Sequence, residues 1–207
     1  MNRTSPQDLP YSPACERNKQ PIGEVLQQWL ASDARVLEIG AGTGQHAVYF
    51  SSLMPDLHWQ ATDVVANIKS LAMRFELEAP ERLPAPIVLD VCDPEWPQGP
   101  FDAVYTANTL HIMPFDLTPK LLEGAARVLR PGGLLLCYGP FKDNGKHTAE
   151  SNRSFDSSLR ERDPQMGIRD TAEIFPMAEA VGLVLKADIS MPANNRVLVL
   201  KKVKGER

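Results

Sequence analysis

The chain has 207 residues, of which 43% are apolar and 23% charged, with a formal net charge of −4. That length accommodates one large domain whose core needs no disulfide or metal staple. The slight acidity argues against a protein held to nucleic acid through phosphates, and no apolar run approaches the roughly 20 residues of a membrane helix.

Residues 1–20 are rich in Pro, Ser and charge and predict an irregular N-terminal arm. Pro21 then opens PIGEVLQQWLAS, whose apolar residues Ile22, Val25, Leu26, Trp29 and Leu30 have helical spacing. A strand is expected over 35–39, a helix over 44–53, a strand over 57–62, a helix over 65–77 and a strand over 86–89. The alternation continues with a strand over 101–107, a helix over 117–129 closed by Pro131-Gly132-Gly133, and a strand over 134–138. Residues 139–170 break the rhythm as a polar, loop-rich insertion. A helix over 171–180 and strands over 183–189 and 197–203 follow, the last two joined by the turn residues Pro192-Ala193-Asn194-Asn195. So short a loop requires those two strands to pair antiparallel. The expected fold is therefore a single α/β domain over 1–207, with a mainly parallel sheet, helices on both faces and an antiparallel last strand.

Cys15, Cys92 and Cys137 are odd in number and far apart, and His46, His58, His111 and His147 form no HxxxH or HxH pair. No zinc set is expected, and the thiols read as reduced, in the cytoplasm. The start MNRTSPQDLPYSP lacks an apolar signal core, in keeping with that compartment.

The chemistry centres on Val36-Leu37-Glu38-Ile39-Gly40-Ala41-Gly42-Thr43-Gly44, between a strand and a helix, where open α/β sheets bind ligands. The spacing is GxGxG. A dinucleotide fingerprint needs its third glycine one position later, where this chain has Gln45. Glu38 would repel a pyrophosphate but suits a cationic ligand, such as the sulfonium and amino group of S-adenosylmethionine. Asp63, about twenty residues on, is placed for the two hydroxyls of a ribose, as in nucleoside-binding α/β sheets. Asp90 ends the third strand, where a carboxylate can accept a bond from an adenine amino group. Each acid alone could be a helix cap or a surface charge. Three at successive strand ends point to one nucleoside site.

The runs VLEIGAGTG, LDVCD, FDAVYTANTLHIM and LRPGGLLLCYGPF, with Asp63 between the first two, resemble the class I S-adenosylmethionine-dependent methyltransferases. That resemblance implies a Rossmann-like seven-stranded mixed sheet. More narrowly, SPACERNKQPI, SNRSFDSSLRERDPQMGIRD and MPANNRVLVLKK resemble the methyltransferase-like protein 26 group. By resemblance, Gly40, Gly42 and Gly44 with Glu38 would line the methionine half of the cofactor, Asp63 would take the ribose, and Asp90 with Val91 would frame the adenine. Asn108 would lie near the sulfur, and the N-terminal arm, with Arg17 and Asn18, would close as a lid over the cofactor. The run Asn108-Thr109-Leu110-His111 lacks the Pro-Pro-aromatic motif of nucleic-acid base methyltransferases, so that activity is not supported.

Methyl transfer from a sulfonium needs alignment and water exclusion, and a base only if the acceptor must lose a proton. His111 is the candidate base. Within the insertion, Asn152, Phe155 and Arg160 are expected to shape an acceptor pocket, and its several arginines suit an anionic small molecule. The expectation is a methyltransferase acting on a small molecule. A non-catalytic module that binds S-adenosylmethionine or its demethylated product, and a nicotinamide-dependent oxidoreductase, stand as alternatives. Acceptor identity and oligomeric state are not legible.

Overall fold

Helix α1 (Pro13–Trp29) leads into β1 (Arg35–Ile39), α2 (Gln45–Leu53), β2 (His58–Asp63), α3 (Val65–Glu78) and β3 (Ile87–Val88) in the computed structural model, which describes residues 9–203. There follow β4 (Phe101–Ala107), the one-turn α4 (Thr109–Ile112), α5 (Thr118–Val128) and β5 (Leu129–Gly139). Next come β6 (Phe141–Asp143), β7 (Lys146–His147), α6 (Glu150–Arg162), β8 (Arg169–Asp170), α7 (Thr171–Ala180), β9 (Leu183–Met191) and β10 (Asn195–Lys202).

Seven strands form a mixed sheet in the order β3-β2-β1-β4-β5-β10-β9, the α/β Rossmann-like arrangement expected. β1 pairs parallel with β2, β2 with β3, and β4 with β5. The last strand, β10, runs antiparallel to both its neighbours, β5 and β9. β1 and β10 each carry four consecutive buried residues, the mark of strands covered on both faces, whereas the outermost strand β9 is mostly half-exposed. A second, three-stranded sheet has the order β7-β6-β8.

The chain packs as two compact units, one up to Asp90 and one from Val91. The first is centred on Trp59, Phe50, Ile22, Leu26, Leu37 and Leu71, and the second on Tyr105, Phe101, Phe141, Leu121, Leu122 and Leu135, all fully buried.

Two expectations are corrected. The N-terminal arm is helical from Pro13, not irregular up to residue 20, and its first eight residues lie outside the described part. Ser12 caps the helix by accepting the Cys15 N–H at 3.2 Å, and Pro13 occupies the first turn, where it lacks no needed donor. Pro21 is therefore inside the helix. An interior Pro costs about 3 kcal/mol, and burial of Asn18, Ile22, Val25 and Leu26 against the core offsets it. The 139–170 segment, expected to be loop-rich, instead contains the 13-residue α6 and all three strands of the small sheet. Its low apolar content hides them: α6 buries only Asn152, Asp156 and Leu159, two of them polar.

Candidate functional site

In the first unit the strand register brings the expected ligand-binding ends together. Ile39 lies opposite Thr62 and Asp63 opposite Val88, so the carboxyl ends of three parallel strands are level. The Ala41 N–H bonds to the Thr62 carbonyl at 3.0 Å, carrying the pairing into the glycine turn. Gly42 and Gly44 both have positive φ, of 57° and 76°. Their surroundings differ. A Cβ on Gly44 would lie 2.6 Å from Leu71 and 3.1 Å from Phe75, so this glycine lets α3 approach the turn. A Cβ on Gly42 would meet nothing within 4 Å, so the turn presents bare backbone to open space.

Asp63 organises this turn. Its Oδ2 accepts the Gly42 N–H at 2.5 Å, and its Oδ1 accepts the Val64 N–H at 2.7 Å and the Asn67 amide at 2.9 Å. Each oxygen has two lone pairs, so capacity is left for a ligand hydroxyl. The exposed Val64 and Val65 follow directly and supply apolar surface beside the carboxylate, which sequence reasoning did not single out. Glu38 is only 2% exposed. Among the described residues its side chain has one donor, Trp59 Nε1, at 2.8 Å from Oε2. Burial pushes the Glu38 carboxyl up to about 7, the Trp59 bond opposes the rise, and nearby Asp63 adds to it. Asp90 is exposed, two residues beyond β3.

The first turn of α1 is fastened to the start of α2. Gln45 Oε1 accepts the Ser12 N–H at 2.6 Å and the Thr43 hydroxyl at 3.0 Å, while its amide reaches the Ser12 carbonyl and Glu16. The residue standing in place of a dinucleotide glycine is thus a clamp between helices. Asn18 is buried and bonded through Oδ1 to His46 Nε2 at 2.7 Å, and burial lowers His46 to about 4. Arg17 is exposed on the same helix.

In the second unit, Val91 is half-buried at the unit's start. Asn108 ends β4 with a left-handed φ of 60°, its N–H bonded to the Tyr138 carbonyl at 2.8 Å. His111 follows, fully buried and edge-on to Phe141 with ring centroids 5.1 Å apart. A Cβ on Gly139 would lie 2.3 Å from its Nε2, so this glycine makes room for the ring. Neither ring nitrogen has a well-formed hydrogen bond among the described residues. Burial, reinforced by the Arg169 guanidinium, lowers His111 to about 3, which leaves it neutral and weakly basic.

A cleft of about 460 Å³ opens beside the segment that follows α4, lined by Phe115, Lys142, Arg160, Ile168, Arg169 and Glu173 among others. Of the three residues expected to shape an acceptor pocket, only Arg160 lines it. Asn152 is buried, and its amide donates to Thr148 Oγ1 and the Asn194 carbonyl, both at 3.0 Å, as a tether for α6. Phe155 is 42% exposed and does not line the cleft. Lys142 and Arg169 also line it. Asp156 was not singled out at all. It is 6% exposed, accepts the Ile168 N–H at 2.7 Å, is bonded to His147 Nε2 at 2.9 Å, and forms ion pairs with Arg160 Nε at 3.2 Å and Lys142 Nζ at 3.7 Å. Burial works against its charge, but these donors outweigh it and hold the carboxyl below its ordinary value. The i, i+4 spacing of Asp156 and Arg160 was the one local sign of this cluster.

Among the described residues no group of three His, Cys, Asp or Glu side chains could hold a metal, and no helix is long and apolar enough to cross a membrane.

The chain is 31% identical over 126 residues to the "Probable methyltransferase ltbC" of Aspergillus luteorubrus, a match taking in 58% of this chain and 44% of that protein. Among solved structures it resembles an O-methyltransferase family protein from Burkholderia thailandensis, with TM-score 0.78 and 19% identity over 93% of this chain and 58% of that one. It also resembles human N-acetylserotonin methyltransferase in complex with S-adenosylmethionine, with TM-score 0.77 and 17% identity over 92% of this chain and 53% of that one. The chain thus spans about half the length of these relatives. At such identities the structural likeness establishes a methyltransferase-type fold and leaves activity to the site itself. A family model described as "Protein of unknown function (DUF938)" matches residues 9–202, and the chain belongs to that family.

Proposed function

We propose that this chain is an S-adenosylmethionine-dependent methyltransferase acting on a small-molecule acceptor. The observation that carries the reading is the level row of strand ends bearing Glu38 and Asp63, with Asp90 two residues past the third strand, beside a glycine turn with an open face. The chemistry of this donor set fits the cofactor. A buried carboxylate held at about 7 gains most from a cationic ligand, which stabilises its ionised form. Glu38 would hold the methionine amino group, the Gly40–Gly44 backbone would pass along the methionine half, Asp63 would bind the ribose, and Asp90 with Val91 would frame the adenine. Asn108 is assigned to the sulfur side by the family resemblance, as Arg17 and Asn18 are to a covering role. Asn18 would act there through His46, its partner in the structure.

When bound, S-adenosylmethionine supplies an already activated methyl group. The protein's part is to align the acceptor and exclude water. His111 is retained as the candidate base. Its burial and its lowering to about 3 count against general-base work, so its role would be that of a neutral ring accepting a hydrogen bond from the acceptor. Resemblance over SPACERNKQPI, SNRSFDSSLRERDPQMGIRD and MPANNRVLVLKK also supports placing the chain with the methyltransferase-like protein 26 group. Three free cysteines support a reducing, cytoplasmic setting.

Calorimetric titration with S-adenosylmethionine, S-adenosylhomocysteine and NAD tests the reading. Binding of the first two, with no NAD binding, is expected. NAD binding alone would favour an oxidoreductase, and no binding by folded protein would sink the assignment. Formation of S-adenosylhomocysteine in fractionated cell extract separates an enzyme from a non-catalytic binding module.

A further inference from the structure

A cleft of about 700 Å³ in the first unit pairs most of its charges: Lys19 with Glu16 and Arg74 with Glu78, while Arg82 donates to the Glu78 carbonyl at 3.0 Å. The smaller cleft of the second unit is different. Its lining includes Lys142 and Arg169, with the half-exposed Arg160 beside them. Arg169 is 5% exposed, and its guanidinium donates to the carbonyls of Leu110 at 2.7 Å, Met113 at 2.6 Å and Gln165 at 2.9 Å. It also lies over the Phe115 ring. These hydrogen-bond partners are all neutral and fix the guanidinium, while the Asp156 and Glu173 carboxylates act on it only through space. The Lys142 ammonium is 3.7 Å from Asp156, beyond a hydrogen bond, and the same carboxylate is shared with Arg160 and His147. One buried carboxylate therefore faces three permanent cations. The remaining acids of the cleft, Asp116 and Glu173, are exposed, as is Arg160, and water and salt screen all three, which leaves Lys142 and Arg169 as the less screened charges.

We infer that this cleft takes an oxyanion, a carboxylate or phosphate borne by the small molecule that the protein acts on. The inference rests on the methyltransferase reading in making the anion part of the methyl acceptor. Three features favour it. The cations are held at fixed positions, by carbonyls for Arg169 and by Asp156 for Arg160, so little side-chain entropy is lost on binding. A planar guanidinium and a neighbouring ammonium match the oxygens of an oxyanion. A volume of about 460 Å³ fits a compact organic molecule. Asp156 is a positioning residue here: it aims Arg160 and Lys142 and would not touch the ligand.

The test is ligand-observed NMR at pH 7.5 on the full chain with S-adenosylhomocysteine. The panel consists of small hydroxylated carboxylic acids with their primary amides, and phosphate monoesters with their parent alcohols. An anion is expected to bind at least about tenfold more tightly than its neutral partner, and the arm that does so identifies carboxylate or phosphate. Lys142→Met and Arg160→Gln should each reduce that preference by about tenfold while leaving S-adenosylhomocysteine affinity in place. A panel in which no anion outcompetes its neutral partner, or a preference that survives both substitutions, overturns the inference. Failure to bind S-adenosylhomocysteine overturns the methyltransferase reading instead, since the anion preference can be measured without it.

Discussion

Glu38 in the first unit and Asp156 in the second are both buried carboxylates, yet their surroundings shift their proton affinities in opposite directions. Glu38 has Trp59 as its donor and is pushed up to about 7. Asp156 collects a backbone N–H, a histidine, an arginine and a nearby lysine, and is pushed down. The first is short of positive charge. The second sits in a surplus of it. Burial alone therefore does not decide what a carboxylate is for; the donors gathered around it do. On the reading above, the first unit is prepared for a cationic cofactor and the second for an anionic acceptor.

The contrast can be broken most forcefully at Asp156. Asp156→Ala leaves Lys142, Arg160, His147 and the Ile168 N–H without their acceptor. Removing one partner of a buried charge cluster typically costs about 3–5 kcal/mol, and the low end is expected because Arg160 can turn to water. Urea denaturation measures this; a loss under about 1 kcal/mol, the scale of exposed pairs, would mean the cluster is only a surface network.

Glu38 should behave in the reverse sense. Its pKa in the folded chain exceeds the ordinary 4.5, so the folded state loses stability as pH rises from there through about 7 and levels off above. Glu38→Gln removes that loss. The gain should approach about 3 kcal/mol at pH 8.5 and vanish near pH 4.5. The same substitution should weaken S-adenosylmethionine binding by at least about tenfold. In the unsubstituted protein, cofactor affinity should fall by up to about tenfold per pH unit below 7, with proton release on binding seen in buffers of different ionisation enthalpy. A flat pH profile would show that Glu38 does not meet the cofactor's charge.

Smaller effects separate the two glycines of the turn. Gly44→Ala combines positive φ with a 2.6 Å approach to Leu71 and should cost about 2 kcal/mol. Gly42→Ala meets only the φ strain, about 1 kcal/mol, but its methyl enters the open face and should weaken cofactor binding more than its stability effect predicts. Equal binding losses at both positions would remove the distinction between a packing glycine and a ligand-facing one.

Much of the first unit was legible. Strand β1 occupies the expected 35–39, and β2 and α3 fall within one residue of expectation, because hydrophobic period and glycine spacing are local signals. The start of α1 was missed although Ser12-Pro13 is a cap followed by a first-turn proline; Pro21 obscured it. The second unit was less legible where it matters most. Helix α6 has a polar buried face, so apolar periodicity could not reveal it. Asn152 reads as a site residue but ties α6 to the turn before β10, 42 positions away in sequence.

The sequence by itself determined the alternation of strands and helices, the reversed final strand, and the carboxylates Glu38 and Asp63 at the ends of two neighbouring strands, with Asp90 falling two residues past the third. These follow from side-chain period, turn chemistry and chain connectivity, each readable within a few residues. Tertiary structure alone decided the proton affinity of Glu38, the clamp made by Gln45, and the gathering of Lys142, Arg160 and Arg169 around one cleft. Desolvation and long-range pairing depend on what lies across the core from a residue, and that neighbour is set by the folded chain.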